Sequence, residues 1–251
     1  MVMRVQPRAP TVRYAVPRLP EGWELPEETM PESVLHDEAV ALLKAVLTFW
    51  AARSASTLVV RNLAVRWDEH HPNVGVDPDI SVLSPVPPEG KGLRSLRTWE
   101  EGHLAPLVAV EVVSETNPRK DYIIAPDKYA ASGTRELWVF DPLLSGPSSH
   151  GGPFRLQVWQ RDEQNQFTRV YAGEGPAYSE ALQAHIVVTD DARKIRIAEN
   201  AEATRFWLTA EEAERAAKEA ERAAKEAERA AKEAALARLA ELEKIIERGA
   251  K

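Results

Sequence analysis

The chain contains no cysteine, which excludes a disulfide framework and any metal site built on thiolates and fits a reducing cytoplasm. It has no apolar run near the roughly 20 residues of a membrane span. Its opening, Met1 to Pro7, lacks the apolar stretch of a signal peptide. A cytoplasmic protein with no membrane contact is expected. Excess positive charge is also missing: the formal net charge is −7, which argues against a broadly basic coat for nucleic acid. A local basic patch stays open, from Arg94, Arg97, Arg119, Lys120 and Lys128. No glycine-rich phosphate cradle is present, so ATP use has no support. Ser114 has neither a nucleophile elbow nor a paired histidine around it.

What is present suffices for a core: 251 residues, 44% of them hydrophobic, with seven tryptophans. Three regions are expected. Residues 1–31 form a proline-rich arm with Pro7, Pro10, Pro17, Pro20, Pro26 and Pro31, since proline removes backbone donors and breaks helices. Residues 32–200 form the main domain and residues 201–251 a helical tail.

In the main domain, Ser33 caps a first helix from Val34 to Arg53, whose apolar face carries Leu35, Leu42, Leu43, Val46, Phe49 and Trp50. Thr57–Arg66 reads as one strand, followed by a strand after Asp79 and a long loop through Pro85, Pro87, Pro88 and Gly90. Leu107–Ser114 is an apolar, β-branched strand. A short helix is predicted to start near Pro126 and end at Gly133. Glu136–Phe140 is a strand stopped by Asp141-Pro142. Phe154–Trp159 and Phe167–Tyr171 read as a hairpin around Asp162–Asn165, and His185–Val188 as a further strand or a loop. The sum is an α/β or α+β domain: a mixed β-sheet flanked by helices.

The tail repeats Ala-Glu-Arg-Ala-Ala-Lys-Glu three times in register, from Ala213, Ala220 and Ala227. These are strong helix formers, and Glu214, Glu221 and Glu228 each stand four residues before a lysine, adding a few tenths of a kcal/mol per pair. One helix from about Thr209 to Arg248 is predicted. Its seven-residue alanine stripe favours a left-handed coiled coil. Alanine buries little area, so Leu236, Leu239, Leu242, Ile245 and Ile246 make the stronger contact patch. The helix reads either as solvated and single or as a dimer contact.

The chemistry sits elsewhere. Glu111 interrupts the apolar run Leu107-Val108-Ala109-Val110-Glu111-Val112-Val113. A buried, unpaired carboxylate is costly, so it calls for a cation, a metal or a raised pKa. A second acid, Asp79, follows Pro78 at the edge of another strand. Alone, each acid has an ordinary reading: Asp79 as a turn acid, Glu111 as the partner of a buried arginine. Together they form a hard-cation pair, because Mg²⁺ takes one or two carboxylates together with waters and phosphate oxygens. Such an ion activates water and stabilises charge on a phosphodiester, and a nearby lysine neutralises the phosphorus centre.

These stretches resemble the restriction-endonuclease-like PD-(D/E)XK nuclease superfamily. More narrowly, they are similar to a large bacterial family of restriction-endonuclease-like proteins long catalogued as a domain of unknown function. The matching pieces are Pro78-Asp79-Ile80, Val110-Glu111-Val112-Val113-Ser114, Lys120-Asp121, Tyr129-Ala130-Ala131-Ser132-Gly133 and Glu136-Leu137-Trp138-Val139-Phe140-Asp141-Pro142. The likeness runs from about residue 32 to the C-terminus. It implies a Mg²⁺- or Mn²⁺-dependent endonuclease acting on DNA, with Asp79, Glu111 and the main-chain carbonyl of Val112 as ligands. Cleavage of both strands would suit a homodimer. The superfamily lysine would fall at Val113, and in this family four residues after Asp121, at Ala125. Neither position is a lysine here, so Lys120 or Lys128 must serve, and Lys120 on a strand-proximal loop is preferred.

His36 and Glu38 on the first helix are secondary candidates, and His70-His71 beside Asp68 and Glu69 reads as a solvated loop. Two rival readings stand beside the nuclease. One is a catalytically inactive module that binds nucleic acid or protein on a nuclease-like fold. The other is a scaffold whose business is the long helix. Any sequence specificity would come from the loop at 84–105 and the N-terminal arm.

Overall fold

An apolar strand buried on both faces forms the centre of the fold. The computed structural model describes residues 34–249 apart from 116, 149, 150 and 190. The proline-rich arm and the Ser33 cap lie outside the described residues. The described residues form two compact units, divided after Trp207.

In the first unit α1 (Val34–Ala51) ends two residues earlier than expected. The single strand predicted over Thr57–Arg66 is in fact two, β1 (Leu58–Arg61) and β2 (Ala64–Arg66), in different sheets. Asn62 between them takes a left-handed φ of 50°, which turns the chain out of the first sheet. There follow β3 (Gly75–Val76), β4 (Ile80–Leu83), β5 (Ser95–Arg97) and β6 (Val108–Val112). The loop expected at 84–105 thus contains β5, which pairs parallel to β2.

The next segment also departs from expectation. The chain is helical from Pro118, passes through a π turn at Lys120–Ile124, and continues as α2 (Ala125–Ser132). Pro126 therefore lies inside a helical segment, not at its start. A proline there has no N–H to give and its ring presses on the preceding turn, which a widened turn accommodates. Gly133 closes α2 with φ 82°, as the left-handed cap requires. Then come β7 (Glu136–Phe140), β8 (Leu156–Arg161), β9 (Phe167–Gly173), β10 (Ala177–Ser179), β11 (Ala184–Val188) and β12 (Ile195–Ala198).

The main sheet has the order β1-β4-β6-β7-β8-β9, antiparallel except for β6 with β7. That parallel step is closed by the π turn and α2, a β–helix–β crossover. Two three-stranded sheets, β3-β2-β5 and β10-β11-β12, complete the unit. Strand alternation splits the core. Val108, Val110 and Val112 join Leu43, Val46 and Leu47 of α1 in one cluster, while Ala109 and Val113 join Ala125 and Tyr129 of α2 in the other. Glu111 alternates with the second set, so its side chain faces α2.

The first unit runs on to Trp207, which stacks on Trp50 at 5.1 Å between ring centroids and donates its main-chain N–H to Ile197 O at 2.7 Å. We therefore place the boundary with the tail after Trp207 rather than at residue 200.

The second unit is α3 (Ala210–Gly249). Thr209 Oγ1 accepts the Glu212 N–H at 3.1 Å and Glu212 Oε2 accepts the Thr209 N–H at 2.8 Å, a reciprocal capping box. Ion pairs run along it at four-residue spacing, among them Glu214–Lys218, Glu221–Lys225 and Arg229–Glu233. They are exposed and each contributes a few tenths of a kcal/mol. Leu236, Leu239 and Leu242 are exposed. The side chains of Ile245 and Ile246 lie outside those described.

Candidate active site

The sheet register brings the two acids together. β4 pairs β6 with Ile80 opposite Val110, Ser81 opposite Ala109 and Val82 opposite Val108. Continued by one residue, the same register sets Asp79 opposite Glu111, where side chains of neighbouring strands lie closest. Asp79 Oδ2 accepts the Val112 N–H at 2.7 Å and faces His36 Nε2 at 3.2 Å. In an extended strand the N–H and C=O of one residue point to the same side, so the Val112 carbonyl also faces the Asp79 side.

Glu111 is only 2% exposed. Its Oε1 accepts the Tyr129 O–H at 2.6 Å. It also lines a pocket of about 80 Å³ with Gly75, Val76, Asp77, Lys120, Ile124, Ala125 and Lys128. Burial holds the Glu111 carboxyl well above the usual carboxylate range. The charges of Asp79 and Asp121 push it further, against Lys120 and the Tyr129 hydroxyl.

Both lysine candidates reach this pocket, in different ways. Lys120 is raised above the ordinary ammonium value, and the largest cause is Glu111. Lys128 is lowered, chiefly by burial, and its Nζ donates to Gly75 O at 3.0 Å. Ala125, the position at which the resemblance expects lysine, lines the same pocket. The π turn explains the alignment. The Ala125 N–H bonds to Lys120 O, five residues back, which stacks Lys120 under Ala125, while Lys128 follows one turn later.

The π turn is anchored to the ends of both parallel strands. Asp121 accepts the Ser114 N–H just after β6. Tyr122 O–H donates to Asp141 Oδ2 at 2.9 Å, and the Tyr122 oxygen accepts the Phe154 N–H at 3.0 Å, near the end of β7 and the start of β8.

Asp121 and Tyr129 are the residues that sequence reasoning missed. Asp121 is 3% exposed, its Oδ1 has no hydrogen-bond partner, and Lys120 Nζ stands 3.8 Å away. Burial pushes its carboxyl up to about 6, against the attraction of Lys120. Only its place beside Lys120 hinted at this, since a charged pair at the start of a helix reads as surface. Tyr129 lies within one of the stretches that carry the resemblance, but an aromatic among alanines reads as core.

A stability consequence follows. A carboxyl whose folded pKa, about 6, exceeds its ordinary value of 3.8 favours the folded state fully below the lower value. That contribution is lost as pH rises through the higher one. In EDTA, Asp121→Asn is expected to raise Tm at neutral pH, by up to about 3 kcal/mol in stability. The advantage should shrink as pH falls from about 7 to 4. Thermal unfolding of both proteins across that range checks it, and a pH-independent difference would refute it.

Other candidates resolve differently. Glu38 is exposed and pairs with Lys194 at 3.4 Å, whereas His36 on the same helix faces Asp79. His70 and His71 are exposed beside Asp68. Among the described residues, Glu89, Glu100 and His103 also bring ligand-type atoms within 4.8 Å of one another. There His103 Nδ1 accepts the Arg97 N–H at 3.1 Å and Nε2 donates to Glu89 at 2.9 Å. Both nitrogens are thus used in fastening the 85–103 segment.

A mixed sheet between helices, with two acids on adjacent strands and lysines on the crossover, defines a nuclease-like α/β protein. The family profile of Uma2, described as putative restriction endonuclease, matches residues 13–178. The chain belongs to that family. Among solved structures it is similar to that of a putative nuclease belonging to DUF820 from Anabaena variabilis ATCC 29413. The identity is 16%, the match covers 65% of this chain and 82% of that one, and the TM-score is 0.45. No curated protein matches the chain. Among the described residues no helix is long and apolar enough to cross a membrane.

Proposed function

We propose that this protein is a Mg²⁺- or Mn²⁺-dependent endodeoxyribonuclease of the cytoplasm. The supporting observation is that Glu111, set opposite Asp79 by strand register, shares one pocket with Lys120 and Lys128. The donor set fits a hard divalent cation: two carboxylates on adjacent strands and the Val112 carbonyl on the same side, all oxygen. Buried acids that repel each other are what a cation would relieve. When bound, the ion supplies an activated water and charge neutralisation at the phosphate.

The chain's own residues do the rest. Asp79, fixed by the Val112 N–H and His36, and Glu111, fixed by Tyr129, form the ligand face. Lys120 brings positive charge beside Glu111, where it stabilises the negative charge that develops on the phosphodiester. Lys128, tied to Gly75 O at the β3 end of the pocket, adds a second positive charge. The test is nicking and linearisation of plasmid DNA with Mg²⁺ or Mn²⁺, against EDTA and Glu111→Gln controls. Activity that survives either control would reject the reading.

Ala125 favours a second reading, a non-catalytic module that binds DNA without cutting it. Metal-dependent binding with no turnover on any DNA would support that one. We also propose that the protein is a homodimer joined through α3, because Leu236 and Leu239 are each 57% exposed on a helix with heptad spacing. In the full chain, Leu236→Glu with Leu239→Glu is expected to convert a dimer to a monomer by light scattering. A mass unchanged by the substitutions would reject the contact.

A further inference from the structure

We infer that Tyr129 is a positioning residue for the cation site: its hydroxyl holds the Glu111 carboxylate in the orientation a divalent cation requires. The inference rests on the reading of Glu111 as a cation ligand.

The geometry carries it. Tyr129 is fully buried and Glu111 nearly so. The 2.6 Å contact between them falls in the range of hydroxyl-to-carboxylate bonds with a charged acceptor. The tyrosine ring belongs to the buried core cluster that holds Val76, Leu83, Val113 and Val139, where dense packing limits side-chain movement. A phenol has one proton to donate, and Tyr129 donates it to Oε1. That leaves Oε2 as the oxygen with which Glu111 meets the pocket it lines. A free glutamate side chain has three rotatable bonds, and fixing one oxygen removes most of that freedom before a ligand arrives. This is how outer partners of metal-binding carboxylates act, by orienting the ligand and raising affinity without touching the ion. The helix that carries Tyr129 also carries Lys128, so one rigid element sets both a ligand's angle and a neighbouring positive charge.

The test uses full-length, metal-free protein and Mn²⁺ as the probe, by isothermal calorimetry. Tyr129→Phe removes a single oxygen and keeps the ring. It is expected to bind Mn²⁺ about 10–100-fold more weakly than wild type with unchanged stoichiometry. DNA cleavage by this variant should fall at limiting Mn²⁺ and recover at saturating Mn²⁺, which loss of a group that acts directly on the substrate would not do. Thermal unfolding in EDTA verifies that it remains folded. Equal Mn²⁺ affinity in wild type and variant would overturn the inference. So would a cleavage defect that saturating Mn²⁺ leaves in place. If wild type binds no Mn²⁺, or Glu111→Gln binds it as tightly as wild type, the cation reading of Glu111 falls first and takes this inference with it.

Discussion

Glu111→Gln is expected to abolish divalent-cation-dependent cleavage while leaving the metal-free protein at least as stable as wild type. The two effects share one cause. Glu111 is buried among Asp79 and Asp121, and its carboxyl is held well above the usual range by that burial first and by those charges second. In the absence of a cation the ionised form therefore costs stability, and the amide relieves it while still accepting the Tyr129 O–H through its carbonyl oxygen. With a cation, the amide offers a neutral oxygen where a charge is needed. The loss of rate should be about a thousandfold or more, since a catalytic metal supplies several kcal/mol and each 1.4 kcal/mol is tenfold. Measured together, plasmid cleavage and thermal unfolding in EDTA give a distinctive pair. Lost activity with lowered metal-free Tm would point to a damaged fold, and retained activity would remove Glu111 from the chemistry.

The second large effect concerns the lysines. Lys120→Ala should lower the cleavage rate by about 10²–10³. Lys128→Ala should cost less, because its ammonium is engaged with Gly75 O and is not the cation most strongly felt by Glu111. Adding Ala125→Lys to Lys120→Ala should restore part of the lost rate, since position 125 lies on the same pocket wall. Single-turnover rates of the three variants at saturating metal decide the matter. A larger loss in Lys128→Ala would reverse the assignment, and failure of Ala125→Lys to restore any rate would show that the wall does not aim a lysine at the substrate.

How far the sequence carried depends on which force decides each feature. The Glu111 strand was legible because a central strand buried on both faces must be continuously apolar, so its one acid stands out. The tail was legible because heptads of good helix formers leave little to tertiary context. The break at Asn62 was not, because β-branched and apolar residues on both sides carry a strand pattern through it, although asparagine is depleted in strands and suits the left-handed φ found there. Nor was β5, three residues recruited by pairing with β2. The pocket was half visible. Its acids announce themselves by cost, whereas Tyr129 and Asp121 gain their meaning from what they face across the crossover, and no local pattern records that.

The π turn has a consequence for how such chains are compared. In an unbroken α-helix, residues five apart point about 140° away from each other. Here the widened turn brings Lys120 and Ala125 onto one wall. A side chain at 120 and one at 125 thus line the same wall, because the helix widens its winding between the two positions. Column-by-column matching sees alanine at 125 and reads a loss. The winding of 120–124, not the letter at 125, is the variable that such a comparison would have to track.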